Sequence, residues 1–217
     1  MTRSLPTPRN TEAKLEHILR HAAEIFANHG FEGTSIRDIS RATGVSLSGL
    51  YYYFDSKQRL LYLIKKNTFT FIVERLQTRL GSGLSPAAKL RILVQNHIEY
   101  FLSHPNEMKV LSHEEEALEE PFRQEVGVIK RKYYGLARKI FDELTAEGAN
   151  PGLNPRVAVL SLFGMMNWVY QWHKPGVDPG AAELTDTIVG IFLHGAVSPP
   201  ERTRHLPEPV PAAVHSE

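Results

Sequence analysis

Cysteine is absent from the 217 residues, which excludes a disulfide framework, a cysteine-based zinc site and a thiol nucleophile. No run of about 18 apolar residues occurs, so no membrane-spanning helix and no membrane partner are expected. The opening stretch Met1 to Asn10 is polar, with two prolines and two arginines, and lacks the apolar centre of a signal peptide. A cytoplasmic location is therefore expected. Neither a Walker phosphate loop nor a Gly-x-Gly-x-x-Gly string is present, so no cofactor is expected. His17 and His21 stand four apart, but no carboxylate or cysteine at ligand spacing joins them, and no metal is expected. The string from Gly44 to Ser48 is not a Gly-x-Ser-x-Gly elbow, His113 lacks the second histidine of a zinc-protease helix, and an enzyme is not expected.

Net charge is also small, +1 over the whole chain, but it is unevenly spread. Residues 1–66 hold ten Lys or Arg against six Asp or Glu, whereas Glu114, Glu115, Glu116, Glu119 and Glu120 crowd one later stretch. A basic front on a neutral-to-acidic body suits a protein that touches nucleic acid with one part. What is abundant is helical periodicity. Leu15, Ile18, Leu19, Ala22, Ile25 and Phe26 mark one apolar stripe, and further stripes run over 57–80, 87–103, 121–147, 157–172 and 181–193, with a short helix near 107–111. Breaks fall at Gly81 to Pro86, His104 to Asn106, Gly148 to Pro151 and Lys174 to Gly176. The fold class expected is all-α, with about nine helices. Four segments are expected: a disordered arm 1–10, a basic helical unit 11–56, a larger helical unit 57–196, and a disordered Pro-rich tail 197–217.

The most informative stretch is Thr34 to Lys57. Ser35 is placed to cap a short helix, with Asp38 three residues on completing a capping box. Ile36 and Ile39 give that helix an apolar side, Gly44 suits the left-handed position that ends it, and Val45 plugs the space behind. Ser46 is placed to cap a second helix, on which Leu50 and Phe54, four apart, face inward with Leu47. Three consecutive tyrosines, Tyr51, Tyr52 and Tyr53, cover much of the remaining surface, an arrangement odd for a solvated helix but suited to phosphates and thymine methyls in a major groove. Gly49 is expected to allow close approach of the backbone to DNA. Lys57 follows the Ser56 cap and opposes the helix dipole, so it needs an anion such as a phosphate. Thr34, Arg37, Ser46, Leu47, Ser48, Gly49, Tyr51, Tyr52, Tyr53 and Lys57 are the candidate DNA-contacting residues.

This segment resembles the DNA-binding domain of the TetR family of bacterial regulators. The resemblance covers about Lys14 to Leu63, on the strings Ala23 to Ser35 and Gly44 to Lys57; the Ser48-Gly49 order departs from the commoner Gly followed by a small hydroxyl residue. It implies a DNA-binding domain over 11–56, a ligand-binding and dimerisation domain over 57–196, and a repressor that binds a palindromic double-stranded operator as a homodimer and is released by a small effector. The string Leu162 to Trp172 is similar to members answering to acyl-CoA thioesters. On that implication Phe101, Lys130, Arg131, Tyr134, Arg138, Phe163, Met166, Asn167 and Tyr170 are candidate effector contacts, with Met166 as an adaptable wall, Asn167 as an amide for the thioester and the basic residues for phosphates.

The segment Val157 to Trp172 is apolar all round and must be covered on both sides. With the last helix it is expected to build a four-helix dimer seam containing Leu160, Gly164, Trp168, Trp172, Ile188, Ile191 and Phe192. Two other readings stand beside this one: a regulator of a multidrug-efflux gene answering to lipophilic aromatic compounds, and an acyl-CoA-binding carrier.

Overall fold

The computed structural model describes residues 8–114, 117–148 and 153–196, so Glu115, Glu116, Arg3 and the segment 197–217 lie outside the described residues. These residues form ten helical segments and contain no strand. The first three are α1 (Pro8–His29), α2 (Ile36–Thr43) and α3 (Leu47–Tyr51). α1 starts at Pro8, inside the stretch expected to be an arm; proline at a first helical position loses no hydrogen bond and has its φ already set. Short-range chemistry then shapes the headpiece. The Ser35 hydroxyl accepts from the Asp38 amide at 3.3 Å while an Asp38 carboxylate oxygen accepts from the Ser35 amide at 2.8 Å, closing the capping box. Gly44 ends α2 with φ +66°, which a Cβ would disfavour. Ser46 caps α3 by accepting from the Gly49 amide at 3.2 Å. Phe26, Phe31, Ile39, Leu50 and Phe54 are then buried together, completing a core that the three helices share.

α4 (Lys57–Arg79) opens on the Ser56 cap and serves two cores. Leu60, Leu61, Tyr62 and Ile64 close the headpiece core, whereas Ile72, Val73 and Leu76 belong to the core of the body. A boundary at 56/57 therefore falls at the head of a helix common to both parts. The body adds α5 (Pro86–Ser103), α6 (Pro105–His113), α7 (Phe122–Ala146), α8 (Pro155–Asn167), α9 (Val169–Trp172) and α10 (Ala181–Ala196). The continuous helix expected over 157–172 is interrupted between α8 and α9, at Asn167 and Trp168; asparagine side chains compete for backbone groups and weaken a helix interior.

α6 also straddles both cores. Val110 is buried with the headpiece residues, while Met108 and Leu111 are buried with the body. Just beyond its end, Glu114 Oε1 accepts from the Phe31 amide at 2.9 Å, and the Glu114 carbonyl accepts from the buried Lys65 ammonium at 2.6 Å. With α4, this helix joins the headpiece to the body.

Candidate nucleic-acid interface and ligand cavity

In the helix-turn-helix, α3 is only five residues long, so the three tyrosines do not share one helix. Tyr51 ends α3, Tyr52 occupies the C-cap, and Tyr53 follows in the turn. Tyr51 and Tyr52 are 54% and 73% exposed, but Tyr53 is half-buried against the headpiece core with its ring edge-on to Tyr52 at 5.1 Å. Leu47 is 38% exposed rather than turned inward, because Leu50 and Phe54 already fill the space below α3. Arg37, Ser46, Ser48 and Arg41 complete an exposed polar face beside these aromatic groups.

Three residues expected at the DNA prove to have internal roles. Thr34 is buried and its hydroxyl donates to the Gly30 carbonyl at 2.8 Å, fixing the link into α2. Gly49 has a packing reason: a Cβ there would stand 2.9 Å from Val45 Cγ1 and 3.2 Å from Ser46 Oγ, the residue that caps the helix. Lys57 donates to the Phe31 carbonyl at 2.8 Å, lies 4.2 Å from the centre of the Phe31 ring, and approaches the Glu32 carboxylate at 3.6 Å. The charge that opposes the α4 dipole is therefore balanced within the headpiece, without a phosphate. His17 is half-buried, its Nε2 lies 3.2 Å from the Thr43 carbonyl oxygen, and its ring sits 4.3 Å from that of His21, a structural pairing of α1 with the end of α2. No group of three metal-ligating side chains occurs among the described residues.

The body holds a cavity of about 540 Å³ that opens to solvent on one side. Its lining comes from α4 to α8, and it falls into three kinds of surface. Phe69, Ile72, Phe101, Met108, Leu111 and Phe163 make it apolar and aromatic. The buried His97 and Tyr133 supply polar atoms to its inner wall. Lys130 and Arg131, exposed on α7, place cationic groups at its solvent side, with Ser112, Tyr134, Leu160 and Asn167 completing the lining. The volume lies within the ordinary span for small-molecule sites. His97 is the chemically distinctive member. Its Nδ1 lies 3.2 Å from the Tyr133 hydroxyl, while its Nε2 meets no hydrogen-bond partner. Burial pushes its pKa down to about 3, with the Asn167 side chain offsetting part of that shift, and burial raises that of the Tyr133 phenol. Both groups are neutral across the physiological range.

Phe101, Lys130, Arg131, Tyr134, Phe163 and Asn167 thus meet at one cavity. Arg138 does not join them; its guanidinium donates to Asp142 at 2.8 Å, one turn along the outer face of α7. Met166 is fully buried and with Tyr170 lines an adjoining cavity of about 150 Å³, separated from the first by the shared Phe101 and Met108. Tyr170 is further held by a 2.8 Å hydrogen bond between its hydroxyl and His113. His97, Phe69, Ile72, Met108 and Leu111 were not anticipated as lining residues. Their apolar or histidine character at helical spacing reads equally well as core, and only the fold separates the two.

The seam residues also divide. Gly164, Trp168, Trp172 and Ile191 are exposed, Trp168 at 62% and Ile191 at 61%. Ile188 and Phe192 instead turn into their own subunit, Phe192 against Phe141 at 6.2 Å, because α10 uses that side to pack on α5. Leu160, though partly exposed, lines the ligand cavity.

Residues 18–62 match the family described as bacterial regulatory proteins, tetR family, and residues 83–196 match the tetracyclin repressor-like C-terminal domain. The chain is 24% identical over 194 residues to the HTH-type transcriptional repressor KstR2 of Mycolicibacterium smegmatis, covering 87% of this chain and 93% of that protein. It is 23% identical over 184 residues to the fatty acid metabolism regulator protein of Bacillus subtilis, 84% of this chain and 95% of the relative. Among solved structures, that of AibR in complex with isovaleryl coenzyme A and operator DNA superposes with a TM-score of 0.74 at 26% identity, over 82% of this chain and 97% of that one.

Proposed function

This chain belongs to the TetR family of bacterial regulatory proteins, and from that premise we propose a homodimeric transcriptional repressor that leaves its operator when an acyl-CoA thioester enters the body. The observation that carries this reading is the graded lining of the cavity. Apolar and aromatic walls suit an acyl group, neutral polar side chains suit a thioester, and the exposed Lys130-Arg131 pair suits nucleotide phosphates. AibR, whose complex holds isovaleryl coenzyme A and operator DNA, lends support by likeness.

α6 supplies the route from ligand to DNA. Met108, Leu111 and Ser112 of that helix line the cavity, and the carboxylate of Glu114 beyond its end holds the Phe31 amide in the link leading to α2. A ligand that shifts α6 pulls on the segment that orients the recognition helix. Release requires the ligand to prefer the DNA-incompetent arrangement; equal affinity for both would shift nothing.

Dimerisation fits the outer surface of α8 and α10. Val157, Ser161, Gly164 and Trp168 lie at i, i+4, i+7 and i+11 and are all exposed, forming one stripe on α8, with Trp172 and Ile191 beside it. Burying such a stripe against its two-fold copy places two headpieces on successive half-sites, about 34–36 Å apart.

The test is fluorescence anisotropy on the duplex upstream of the chain's own gene, titrated with acyl-CoA thioesters, their free acids and coenzyme A. Release by thioesters alone is the expected result. Tight operator binding untouched by every thioester overturns the effector class, and release by bulky lipophilic aromatics instead transfers the cavity to the efflux-regulator reading. Failure to prefer any palindromic duplex overturns the repressor itself in favour of a carrier.

A further inference from the structure

Two buried side-chain atoms among the described residues lack a hydrogen-bond partner, and they stand on consecutive residues of α5: Asn96 Oδ1 and His97 Nε2. Asn96 is otherwise anchored, its amide donating to the Ile72 carbonyl at 3.0 Å. His97 is different because it lines the ligand cavity. We propose that His97, oriented by Tyr133, is the group that reads a carbonyl oxygen on the bound ligand. It would admit acyl compounds and discriminate against isosteres that lack the oxygen. This specificity role rests on the cavity being the effector site and adds a chemical requirement to it.

The tautomer follows from counting donors. A neutral imidazole carries one N–H, and a phenol has one O–H. If the Tyr133 hydroxyl donates to Nδ1, one hydrogen bond satisfies both groups and the ring hydrogen sits on Nε2. If Nδ1 donates instead, the phenol hydrogen and the Nε2 lone pair are both left without partners. The first arrangement wastes less, so this lining residue carries its N–H on Nε2, which is closed to solvent in this structure and would meet an acceptor oxygen once a small side-chain shift at the wall exposes it. The burial that depresses the imidazole pKa to about 3 keeps the ring neutral, which suits an uncharged carbonyl. The ring is also held in place. Tyr133 lies nearly parallel to it, at 3° with centroids 6.2 Å apart, and Phe101 packs at 4.6 Å. The Asn167 side chain stands near enough to raise the imidazole pKa but falls short of hydrogen-bond geometry with Nε2, so it leaves room for a ligand oxygen to compete for the same hydrogen. A ligand carrying the matching oxygen gives this buried donor a full hydrogen bond, and sites built this way reject analogues that lack the oxygen.

The decisive comparison uses ligands that differ by that one oxygen. Isovaleryl-CoA and octanoyl-CoA are titrated calorimetrically into the full-length protein beside their S-alkyl thioether counterparts, and a long-chain methyl ketone beside its parent hydrocarbon. The wild type is expected to favour the carbonyl member of a pair by about tenfold or more. In His97→Phe the preference should disappear while affinity for the thioether or hydrocarbon is kept. Tyr133→Phe, which releases the tautomer without altering the imidazole, should reduce the preference and keep the fold. Equal binding within every pair by the wild type, or a preference retained by His97→Phe, overturns the inference. If the CoA pairs do not bind and the ketone pair is split through His97, the acyl-CoA reading fails and the carbonyl reader stands. If no pair binds at all, both fail.

Discussion

Glu114 and Phe31, 83 residues apart, are joined by a 2.9 Å hydrogen bond from the Phe31 amide to the Glu114 carboxylate, and the Phe31 carbonyl is taken at 2.8 Å by Lys57. The link between α1 and α2 is therefore held on both sides of one peptide residue. One holder sits beyond the end of α6, which lines the cavity of the body, and the other begins α4. Removing the first should separate ligand binding from DNA release. Glu114→Ala is expected to bind acyl-CoA normally in calorimetry yet need a higher ligand occupancy for operator release. A stability loss of about 1–3 kcal/mol, for an amide left without its charged acceptor, should show as a lower urea midpoint. Unchanged release at equal occupancy would remove Glu114 from the coupling.

Lys57→Ala should act on stability before DNA affinity. It deletes the bond to the Phe31 carbonyl and the contact with the Phe31 ring, worth together about 1–3 kcal/mol. Tyr52→Ala is expected to do the opposite, since Tyr52 is 73% exposed. Thermal unfolding should be nearly unmoved while operator affinity falls about tenfold or more, a loss of the size given by one lost base or phosphate contact. A pair of thermal melts and anisotropy titrations separates the two; a Lys57 variant as stable as the wild type would contradict this division.

At Gly33 a Cβ would lie 2.4 Å from the His29 carbonyl oxygen, so Gly33→Ala must displace backbone at the end of α1. A cost of about 1–3 kcal/mol is expected, carried by the headpiece. Gly44→Ala meets no atom within 4 Å but forces φ +66° on an alanine, and about 1 kcal/mol is expected there. Denaturant unfolding of the two variants should rank them in that order.

Acid should weaken the folded chain through His97. The unfolded imidazole takes up a proton near pH 6.5, whereas the folded one does so only near 3, so the unfolded state binds more protons between those values. Stability from this group is complete above about 6.5 and falls as pH drops, by up to about 1.4 kcal/mol per pH unit, until about 3. Urea midpoints at pH 7 and pH 5 should therefore differ more for the wild type than for His97→Phe. Identical differences would mean that the folded imidazole titrates normally.

Charge placed on the exposed seam tests the assembly. Trp168→Asp, on a residue 62% exposed in the single chain, should leave each subunit folded by circular dichroism. It should yield monomers in sedimentation velocity and abolish cooperative occupation of two half-sites. A dimer that survives Trp168→Asp together with Ile191→Asp would place the interface elsewhere.

How much could be read in advance differs sharply between the two halves. The helix-turn-helix was legible because its signals are local. Ser35 and Asp38 are three residues apart, Ser46 reaches Gly49 in the same way, and Gly44 needs only its own φ. The body was legible as helices but not as a site. Apolar residues on α8 and α10 look alike whether they face a core, a cavity or a partner, so Phe192 and Trp168 were assigned to the same seam although one is buried and the other exposed. The internal contacts of Lys57 were hidden for a related reason: Phe31 is 26 residues away, in the link between α1 and α2.

The helical composition, the headpiece and its caps follow from neighbouring residues alone, since each depends on contacts within about one helical turn. Which side chains line the cavity and which join headpiece to body was settled by packing. The His97 to Tyr133 pair spans 36 residues and Glu114 to Phe31 spans 83. Such pairs exist only after packing has chosen which face of each helix turns inward, and periodicity alone leaves that choice open.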